Sequence, residues 1–266
     1  MQSSALHKGT TMKKLISLTL LLLCLLPLFS NGNKEENSYV FAANCAWPPL
    51  EFVDENGDIV GFEIDLIHEF ATMTGYTMTV RNVAWDGIFA GLANGAYDAI
   101  ASGVSVTEER KGAMEFTTPI LYVTQSIIVH QGTSGMNDLQ GLAGKKVGVQ
   151  LGTTGHIALE DALKDQPSLD LTIKAYDEVG FGIEDLMNGN LDAIVCDSLI
   201  ASDYVLSNPN YAGRLMVSGV ASEITEPIAI AVKKGNLALV DLLDDCIATL
   251  KQNGKMAELK AKWNLL

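Results

Sequence analysis

The chain has 266 residues, 32 of them acidic and 18 basic, so its formal net charge is −14. Hydrophobic residues make up 48% and charged residues 19%, a globular composition that excludes disordered and fibrous chains. The acidity argues against a partner that is a nucleic acid, because binding a phosphate backbone needs clustered lysine and arginine. The longest apolar run lies at the N-terminus, which excludes a polytopic membrane protein.

The N-terminus has the pattern of an export signal. Met12-Lys13-Lys14 precedes an apolar run over residues 15–29, and small polar residues follow. The run is shorter than the roughly 20 residues that a membrane-spanning helix needs. We therefore expect residues 1–30 to be a signal peptide, residues 31–37 a linker, and the protein to be periplasmic or otherwise extracytoplasmic. An uncleaved anchor and lipidation at Cys24 stay open as alternatives.

Beyond this segment, predicted strands and helices alternate. In chain order the predicted elements are a strand at 39–43, a hairpin at 52–62 turning at Asn56-Gly57, a helix ended by Gly75, a strand at 77–83, a helix at 86–93, a strand at 99–101, a helix at 108–113, strands at 125–130 and 145–150, a helix at 157–163, strands at 192–196 and 228–232, and helices at 237–250 and 254–263. Such alternation indicates α/β sheets with parallel strands, in which ligands bind beyond the carboxyl ends of the strands.

A short repeat suggests two lobes built on one plan. Residues 92–100 and 186–194 share Leu, Asn, Gly, Asp, Ala and Ile at equivalent positions. Each copy predicts a helix end, a glycine stop and a short strand. The segments that follow the two strands, 102–105 and 196–198, would then line opposite walls of one cleft. Chance recurrence of turn chemistry is the alternative.

The cysteines indicate no metal or redox site. Outside the signal lie Cys45, Cys196 and Cys246, whose spacing fits neither kind of motif. We expect all three to be small packing residues. One disulfide with a thiol left over is the alternative. No cofactor and no metal ion is expected.

Several motifs occur in an order typical of one protein family. The motifs are Asn44-Cys45-Ala46-Trp47-Pro48-Pro49-Leu50-Glu51-Phe52, Gly61-Phe62-Glu63-Ile64-Asp65-Leu66, Trp85-Asp86-Gly87, Tyr97-Asp98-Ala99-Ile100, Thr107-Glu108-Glu109-Arg110, Gly152-Thr153-Thr154 and Leu191-Asp192-Ala193-Ile194. Over residues 38–266 the chain resembles the periplasmic polar-amino-acid-binding proteins of ABC importers.

The resemblance implies a two-lobed α/β fold with two mixed sheets flanked by helices and joined by two hinge strands. Lobe one would comprise residues 38–120 plus 227–266, and lobe two residues 126–221. The hinge would lie at 121–125 and 222–226. The ligand would sit between the lobes, which close by hinge motion.

The resemblance also assigns the ligand's carboxylate. Arg110 matches the arginine that binds it, and a planar guanidinium pairs bidentately with a carboxylate. Ser105 matches a residue that offers its N–H to the carboxylate and its hydroxyl to the ammonium. The N–H of Thr154, between a strand and a helix, would point at the same anion. The alternatives are an arginine on a surface turn, a Ser105 that caps a helix together with Glu108, and a plain tight turn at Thr154.

The ammonium and the side chain are assigned in the same way. Asp197 matches the carboxylate that receives the ammonium, and Gly103 would accept from it through its carbonyl. Trp47 and Trp85 match two aromatic walls. The alternatives are a helix-capping aspartate and two core tryptophans.

Uncharged residues occupy the positions that read the ligand side chain. Asn44 stands where relatives that bind basic or amide side chains often carry Asp, and Gln150 and Cys196 match other reading positions. We therefore expect a neutral ligand with a polar or sulfur-bearing side chain. The complete predicted binding set is Asn44, Trp47, Trp85, Ser102, Gly103, Ser105, Arg110, Gln150, Thr153, Thr154 and Asp197.

The function implied is capture of an L-amino acid and its delivery to an ABC permease in the inner membrane. We expect a monomer without catalytic activity. An enzyme resembling cyclohexadienyl dehydratase and a ligand-binding sensor are the alternatives. An enzyme would need a positioned acid or base, for which only His156 and Glu226 are candidates.

Overall fold

The computed structural model describes residues 37–265. The predicted signal peptide at 1–30, Cys24 and all but the last residue of the predicted linker lie outside the described residues. Within the described part, no helix has the length and apolarity required to span a membrane.

Strands and helices alternate along the chain, with additional short elements. The strands are β1 (Ser38–Ala43), β2 (Ala46–Trp47), β3 (Glu51–Val53), β4 (Ile59–Val60), β5 (Thr77–Asn82), β6 (Ala99–Ile100), β7 (Met114–Phe116), β8 (Leu121–His130), β9 (Lys146–Gln150), β10 (Thr172–Tyr176), β11 (Ala193–Asp197), β12 (Leu215–Ile228) and β13 (Ala231–Lys233). The helices are α1 (Phe62–Thr74), α2 (Trp85–Asn94), α3 (Glu108–Ala113), α4 (Thr154–Asp165), α5 (Val179–Met187), α6 (Ser198–Ser202), α7 (Leu237–Gln252) and α8 (Lys255–Lys262), with a π-helical turn at Asp203–Ser207.

Two mixed five-stranded sheets organise the fold. The first sheet has the order β5-β1-β6-β13-β7, with β1 parallel to β5 and β6, and β13 antiparallel to β6 and β7. The second has the order β10-β9-β11-β8-β12, with β9 parallel to β10 and β11, and β8 antiparallel to β11 and β12. The predicted fold class, two mixed sheets in a two-lobed α/β fold, is confirmed. A small sheet of β2, β3 and β4 contains the predicted hairpin.

The sequence repeat corresponds to an equivalent structural feature in each sheet. In the first sheet the Asp98 carboxylate accepts from the Val40 N–H at 2.9 Å, and its own N–H donates to the Val40 carbonyl at 2.8 Å. In the second sheet Asp192 makes the same two bonds with Lys146, at 2.8 and 2.9 Å. Each repeat aspartate therefore fixes the start of its strand, β6 or β11, against the parallel neighbour.

The predicted hinge segments are ends of longer strands. Residues 121–125 begin β8, and residues 222–226 lie near the end of β12; the two strands pair antiparallel. The register shifts between Ser222, opposite Gln125, and Glu226, opposite Val123. Between these two pairs, three residues of β12 (223–225) stand opposite one residue of β8 (Thr124), which is a bulge in the ladder.

Three predicted boundaries are wrong. The strand predicted at 125–130 begins at Leu121. The helix predicted at 157–163 begins at Thr154, because the Thr153 hydroxyl accepts from the His156 N–H at 3.3 Å and caps the helix there. The strand predicted at 228–232 is two strands. The N–H groups of Ala229 and Ile230 bond to Val104 and Thr117, at 3.1 Å each, and so leave the ladder.

The three cysteines of the described part are free thiols and are buried, so a disulfide among them is wrong and the packing interpretation is confirmed. Burial raises the pKa of Cys45 to about 12 and raises the pKa of Cys196 and of Cys246. The thiolate forms are therefore disfavoured.

Gly61 lies where the backbone packs too closely to admit a side chain, and Gly57 offers a matched comparison in open space. It has φ +140°, and a Cβ there would overlap the carbonyl of Leu50. We expect Gly61→Ala to lower the free energy of unfolding by about 3 kcal/mol, from strain plus overlap. Gly57→Ala has φ +88° but open space, and should cost about 1 kcal/mol. Urea denaturation followed by circular dichroism measures both; equal losses would contradict the packing argument.

Candidate ligand-binding site

Polar side chains collect where the parallel strands of both sheets end. Asn44 follows β1, and Ser102 and Gly103 follow β6 in the first sheet. Gln150 ends β9 and Asp197 ends β11 in the second sheet. The carboxyl edges of both sheets therefore contribute to one site, as expected for α/β folds.

All predicted binding residues line one cavity. Its lining is Asn44, Trp47, Trp85, Ser102, Gly103, Ser105, Arg110, Gln150, Thr153, Thr154 and Asp197. Cys196 is buried and is not part of that lining. The structure thus brings the whole set together, while the role of each residue toward a ligand stays a prediction.

Arg110 is held in place by carbonyls and rings. Its Nη1 donates to the Ser105 carbonyl at 2.9 Å and its Nη2 to the Gly152 carbonyl at 3.3 Å. The guanidinium carbon lies 4.9 Å from the Phe89 ring centroid and 5.7 Å from that of Trp85. No carboxylate of the described residues forms an ion pair with it, so a planar fork of donors has capacity for an anion.

Helix α3, which carries Arg110, is capped by a residue other than Ser105. Thr107 caps it, accepting from the Arg110 N–H at 3.1 Å. Ser105 as the cap is therefore wrong. Its hydroxyl instead lies 3.4 Å from the Thr154 hydroxyl across the cavity.

Asp197 is a buried acid at the end of β11. Its Oδ1 accepts from Gln125 Nε2 at 2.8 Å. Burial, and secondarily the carboxylate of Glu226, raises the pKa of Asp197 to about 7, while the bond from Gln125, the charge of Arg110 and a bond from Trp47 act in the opposite direction. The helix-capping alternative is wrong, because Asp197 makes no side-chain capping bond to α6.

Two tryptophans form apolar walls. Trp47 is 6% exposed and Trp85 is 9% exposed, and both line the cavity. Trp85 packs edge-on against Phe89 with centroids 5.0 Å apart. Gly103 has φ +57°, and a Cβ there would lie 3.1 Å from the Trp47 ring, so this close approach favours glycine.

An amide pair crosses the cavity. Gln150 Nε2 donates to Asn44 Oδ1 at 3.3 Å and to the Asp177 carbonyl at 3.0 Å. Gln150 Oε1 is buried and has no partner among the described residues. This end of the cavity is polar and uncharged, with a spare acceptor.

Thr153 and Thr154 present a helix N-terminus to the cavity. Thr153 caps α4, and Thr154 is the first helical residue, so its N–H has no acceptor within the helix. His156 accepts from the Gly152 N–H at 3.2 Å through Nδ1, and its Nε2 lies 3.5 Å from Glu160. Its imidazole is therefore engaged by its own helix.

Sequence reasoning missed two buried acids behind the cavity wall. The Ser102 hydroxyl donates to Glu51 Oε1 at 2.8 Å, and the Gly103 N–H donates to Glu63 Oε1 at 3.0 Å. Burial and the neighbouring carboxylate raise the pKa of Glu51 well above its usual range, and burial raises that of Glu63 to about 7. The signal that could have identified them is that Glu51 and Glu63 each stand among apolar residues in the sequence.

Gln125 was also missed as a site residue. It lies on β8, is fully buried and bonds to Asp197, Thr154 and Glu226. A single glutamine between apolar strand residues gives no local signal of this role. Among the described residues, no group of three or more His, Cys, Asp or Glu could hold a metal ion.

Comparison with known proteins points to one family. The family described as bacterial extracellular solute-binding proteins, family 3, matches residues 39–265. A relative from Neisseria gonorrhoeae, a probable histidine-binding protein, is 33% identical over 85% of this chain and 82% of its own. An ancestral arginine-binding protein solved bound to glutamine is 32% identical over 86% of this chain and 99% of its own, with a TM-score of 0.79.

A further solved structure bears on the enzyme alternative. It is an ancestral amino-acid-binding protein described as a precursor of cyclohexadienyl dehydratase. It is 27% identical over 85% of this chain and 95% of its own, with a TM-score of 0.74. That similar structure is thus described as an amino-acid-binding protein and as the precursor of an enzyme.

Proposed function

Because the chain belongs to the bacterial extracellular solute-binding proteins of family 3 and is an amino-acid-binding protein of the ABC-transporter type, we propose that it captures a neutral L-amino acid and delivers it to an ABC permease. One observation carries the proposal: Arg110 on helix α3 and Asp197 at the end of strand β11, which have opposite charges, line the same cavity. A zwitterion can pair with both only when the two walls face each other, so binding favours the closed arrangement.

The carboxylate of the amino acid would bind at Arg110. The guanidinium supplies a planar pair of donors, and the N–H groups of Ser105 and Thr154 complete the site. The start of α4 adds the positive end of a helix dipole. Each of these groups lies on the cavity lining.

The ammonium would bind at Asp197. The carboxylate supplies the charge, and the Gly103 carbonyl and the Ser105 hydroxyl supply further acceptors. Trp47 and Trp85 exclude water from both ion pairs and so strengthen them.

The side chain would extend toward Asn44 and Gln150. Both are uncharged, and the buried Gln150 Oε1 has no donor in the described part, so a side chain with a hydrogen-bond donor suits this end. A relative is described as binding histidine, and an ancestral arginine-binding protein was solved with glutamine. An amide or an imidazole side chain fits the same requirements.

The lobe boundaries and partners belong to the proposal. Lobe one would be 38–120 plus 227–266, lobe two 126–221, and the hinge 121–125 and 222–226. The protein would be exported by its signal peptide and would act as a monomer outside the cytoplasm, either free or anchored to the membrane by a lipid. The permease would lie in the inner membrane.

A thermal-shift screen over the twenty L-amino acids and L-cystine tests the proposal. We expect a neutral polar amino acid to stabilise the protein, by about 2.7 kcal/mol at one hundred times its Kd. Cationic amino acids should stabilise less. Stabilisation by none of them would contradict the proposed function.

Enzyme and sensor alternatives have separate readouts. We propose that the protein has no catalytic activity, since His156 is bonded to the backbone of its own turn. Turnover of cyclohexadienyl substrates would contradict this. Co-purification with a receptor in place of a permease would favour the sensor.

A further inference from the structure

The Gln125 side chain joins three elements directly behind the cavity lining, where it bonds to the lining residues Asp197 and Thr154. Its Nε2 lies 2.8 Å from Asp197 Oδ1, 3.1 Å from Glu226 Oε1 and 3.2 Å from Thr154 Oγ1. An amide nitrogen has two hydrogens, so it cannot serve three acceptors at once. Gly155 makes room for this side chain, because a Cβ there would lie 2.5 Å from Gln125 Oε1.

Around the Gln125 amide, hydrogen-bond acceptors outnumber donors. Gln125 Oε1 and Glu226 Oε2 are buried and have no hydrogen-bond partner among the described residues. Two carboxylates, of Asp197 and Glu226, therefore share a single amide donor group. Buried acceptors without donors are costly, and buried like charges more so.

The nearby cation does not correct this imbalance. Arg110 spends two of its donors on the carbonyls of Ser105 and Gly152 and forms no ion pair within the described part. Burial lowers the pKa of Arg110, and the carboxylates of Asp197 and Glu226 oppose that shift. Burial is also the main cause of the raised pKa of Asp197, to which the carboxylate of Glu226 adds. The cluster of Gln125, Asp197 and Glu226 could therefore accept a positively charged group that carries several N–H donors.

A primary ammonium has those properties, with three N–H donors, a positive charge and no acceptor. We propose that Glu226 is a second carboxylate of the ammonium site, acting with Asp197 and positioned by Gln125, and that it determines specificity for ligands with a free α-ammonium. This rests on the proposed function and adds to it a residue from strand β12.

The pair of carboxylates explains which compounds the site should reject. A 2-hydroxy acid supplies one O–H donor and no charge at the place of the ammonium. It would leave two buried carboxylates uncompensated, which a single carboxylate would penalise less. The ratio of the affinity for an amino acid to the affinity for its 2-hydroxy acid is therefore the measurement that reports on Glu226.

The test is Glu226→Gln, with calorimetric titration of L-glutamine, L-histidine and L-arginine and of their 2-hydroxy-acid counterparts. We expect affinity for the amino acids to fall roughly tenfold to a hundredfold, since a charged hydrogen bond is lost. Affinity for the hydroxy acids should stay the same or rise. Glu223→Gln is the matched control, because Glu223 is exposed on the same strand, and it should change neither.

Equal losses for both compound classes, or no loss for the amino acids, would overturn the proposal. Thermal denaturation checks that the variant is folded. If Glu226→Gln does not fold, Glu226→Asp replaces it: the retracted carboxylate should weaken amino-acid binding and leave hydroxy-acid binding unchanged. If none of the three amino acids binds, the tightest-binding amino acid of the thermal-shift screen replaces them; failure of all twenty amino acids and L-cystine to bind the unmodified chain would contradict the proposed function itself, whereas normal binding with an unaffected Glu226→Gln would contradict only this inference.

Discussion

Replacing Arg110 with alanine should weaken amino-acid binding by about 2–5 kcal/mol, because truncating one member of a buried charge pair leaves the other without a partner. The loss is a factor of tens to several thousands in Kd. Calorimetry on the tightest-binding L-amino acid measures it. Arg110 also donates to the carbonyls of Ser105 and Gly152, so part of the loss could come from a displaced turn.

Two comparisons separate these causes. Lys111→Ala is the matched control, because Lys111 is the exposed neighbour on α3 that pairs with Glu108 at 2.7 Å, and it should leave affinity unchanged. Histamine lacks the carboxylate of L-histidine, so its weaker binding should be nearly the same in Arg110→Ala and in the unmodified chain. Unchanged calorimetric affinity for the amino acid would show that the carboxylate binds elsewhere.

Asp197→Asn should weaken amino-acid binding by about 2–5 kcal/mol for the corresponding reason at the ammonium end. The amide keeps the shape of the side chain and removes the charge. Affinity for 2-hydroxy acids should change little, since these compounds bring no ammonium. Titration of both compound classes against both chains measures the difference, with the exposed Asp161→Asn as a surface control. Equal losses for the two classes would refute the ammonium assignment.

The same carboxylate should make binding depend on pH. Asp197 has a pKa of about 7, and the ammonium binds the ionised form, so below that pH binding must release a proton. Affinity should therefore fall as the pH decreases below about 7, approaching tenfold per pH unit, and should level off above it. Glu63 also has a pKa of about 7, but it is retained in Asp197→Asn. The difference between the two chains isolates Asp197, and identical pH profiles would contradict the argument.

Local sequence chemistry was sufficient to predict much of the fold. The repeat at 92–100 and 186–194 located β6 and β11, because glycine stops and an aspartate at the strand start are local features. The ends of these strands placed Ser102 and Asp197 correctly at one cavity. The short strands β2 and β7 escaped prediction, since two or three residues carry no periodic signal, and β10 is an edge strand with exposed Thr172.

The contact between Gln125 and Glu226 could not be predicted, although the resemblance placed both residues in the predicted hinge segments. Gln125 and Glu226 are separated by 101 positions in sequence, and neither stands in a motif. Their meeting follows from the pairing of β8 with β12 and from the register shift before Glu226. Local propensity contains no information about such pairing, so only the tertiary structure identifies this pair.

The buried acids Glu51 and Glu63 give the protein an unusual response to acid. Because folding raises the pKa of Glu51 well above its usual range and that of Glu63 to about 7, the folded chain holds protons that the unfolded chain releases over a window that starts at the ordinary carboxyl range and extends, for Glu63, to about pH 7. By linkage, their contribution to stability is complete at low pH and is lost as the pH rises through that window. Mild acidification of the medium should thus strengthen this wall of the cavity, and it acts in the same direction as the relief of self-repulsion in a chain with a net charge of −14.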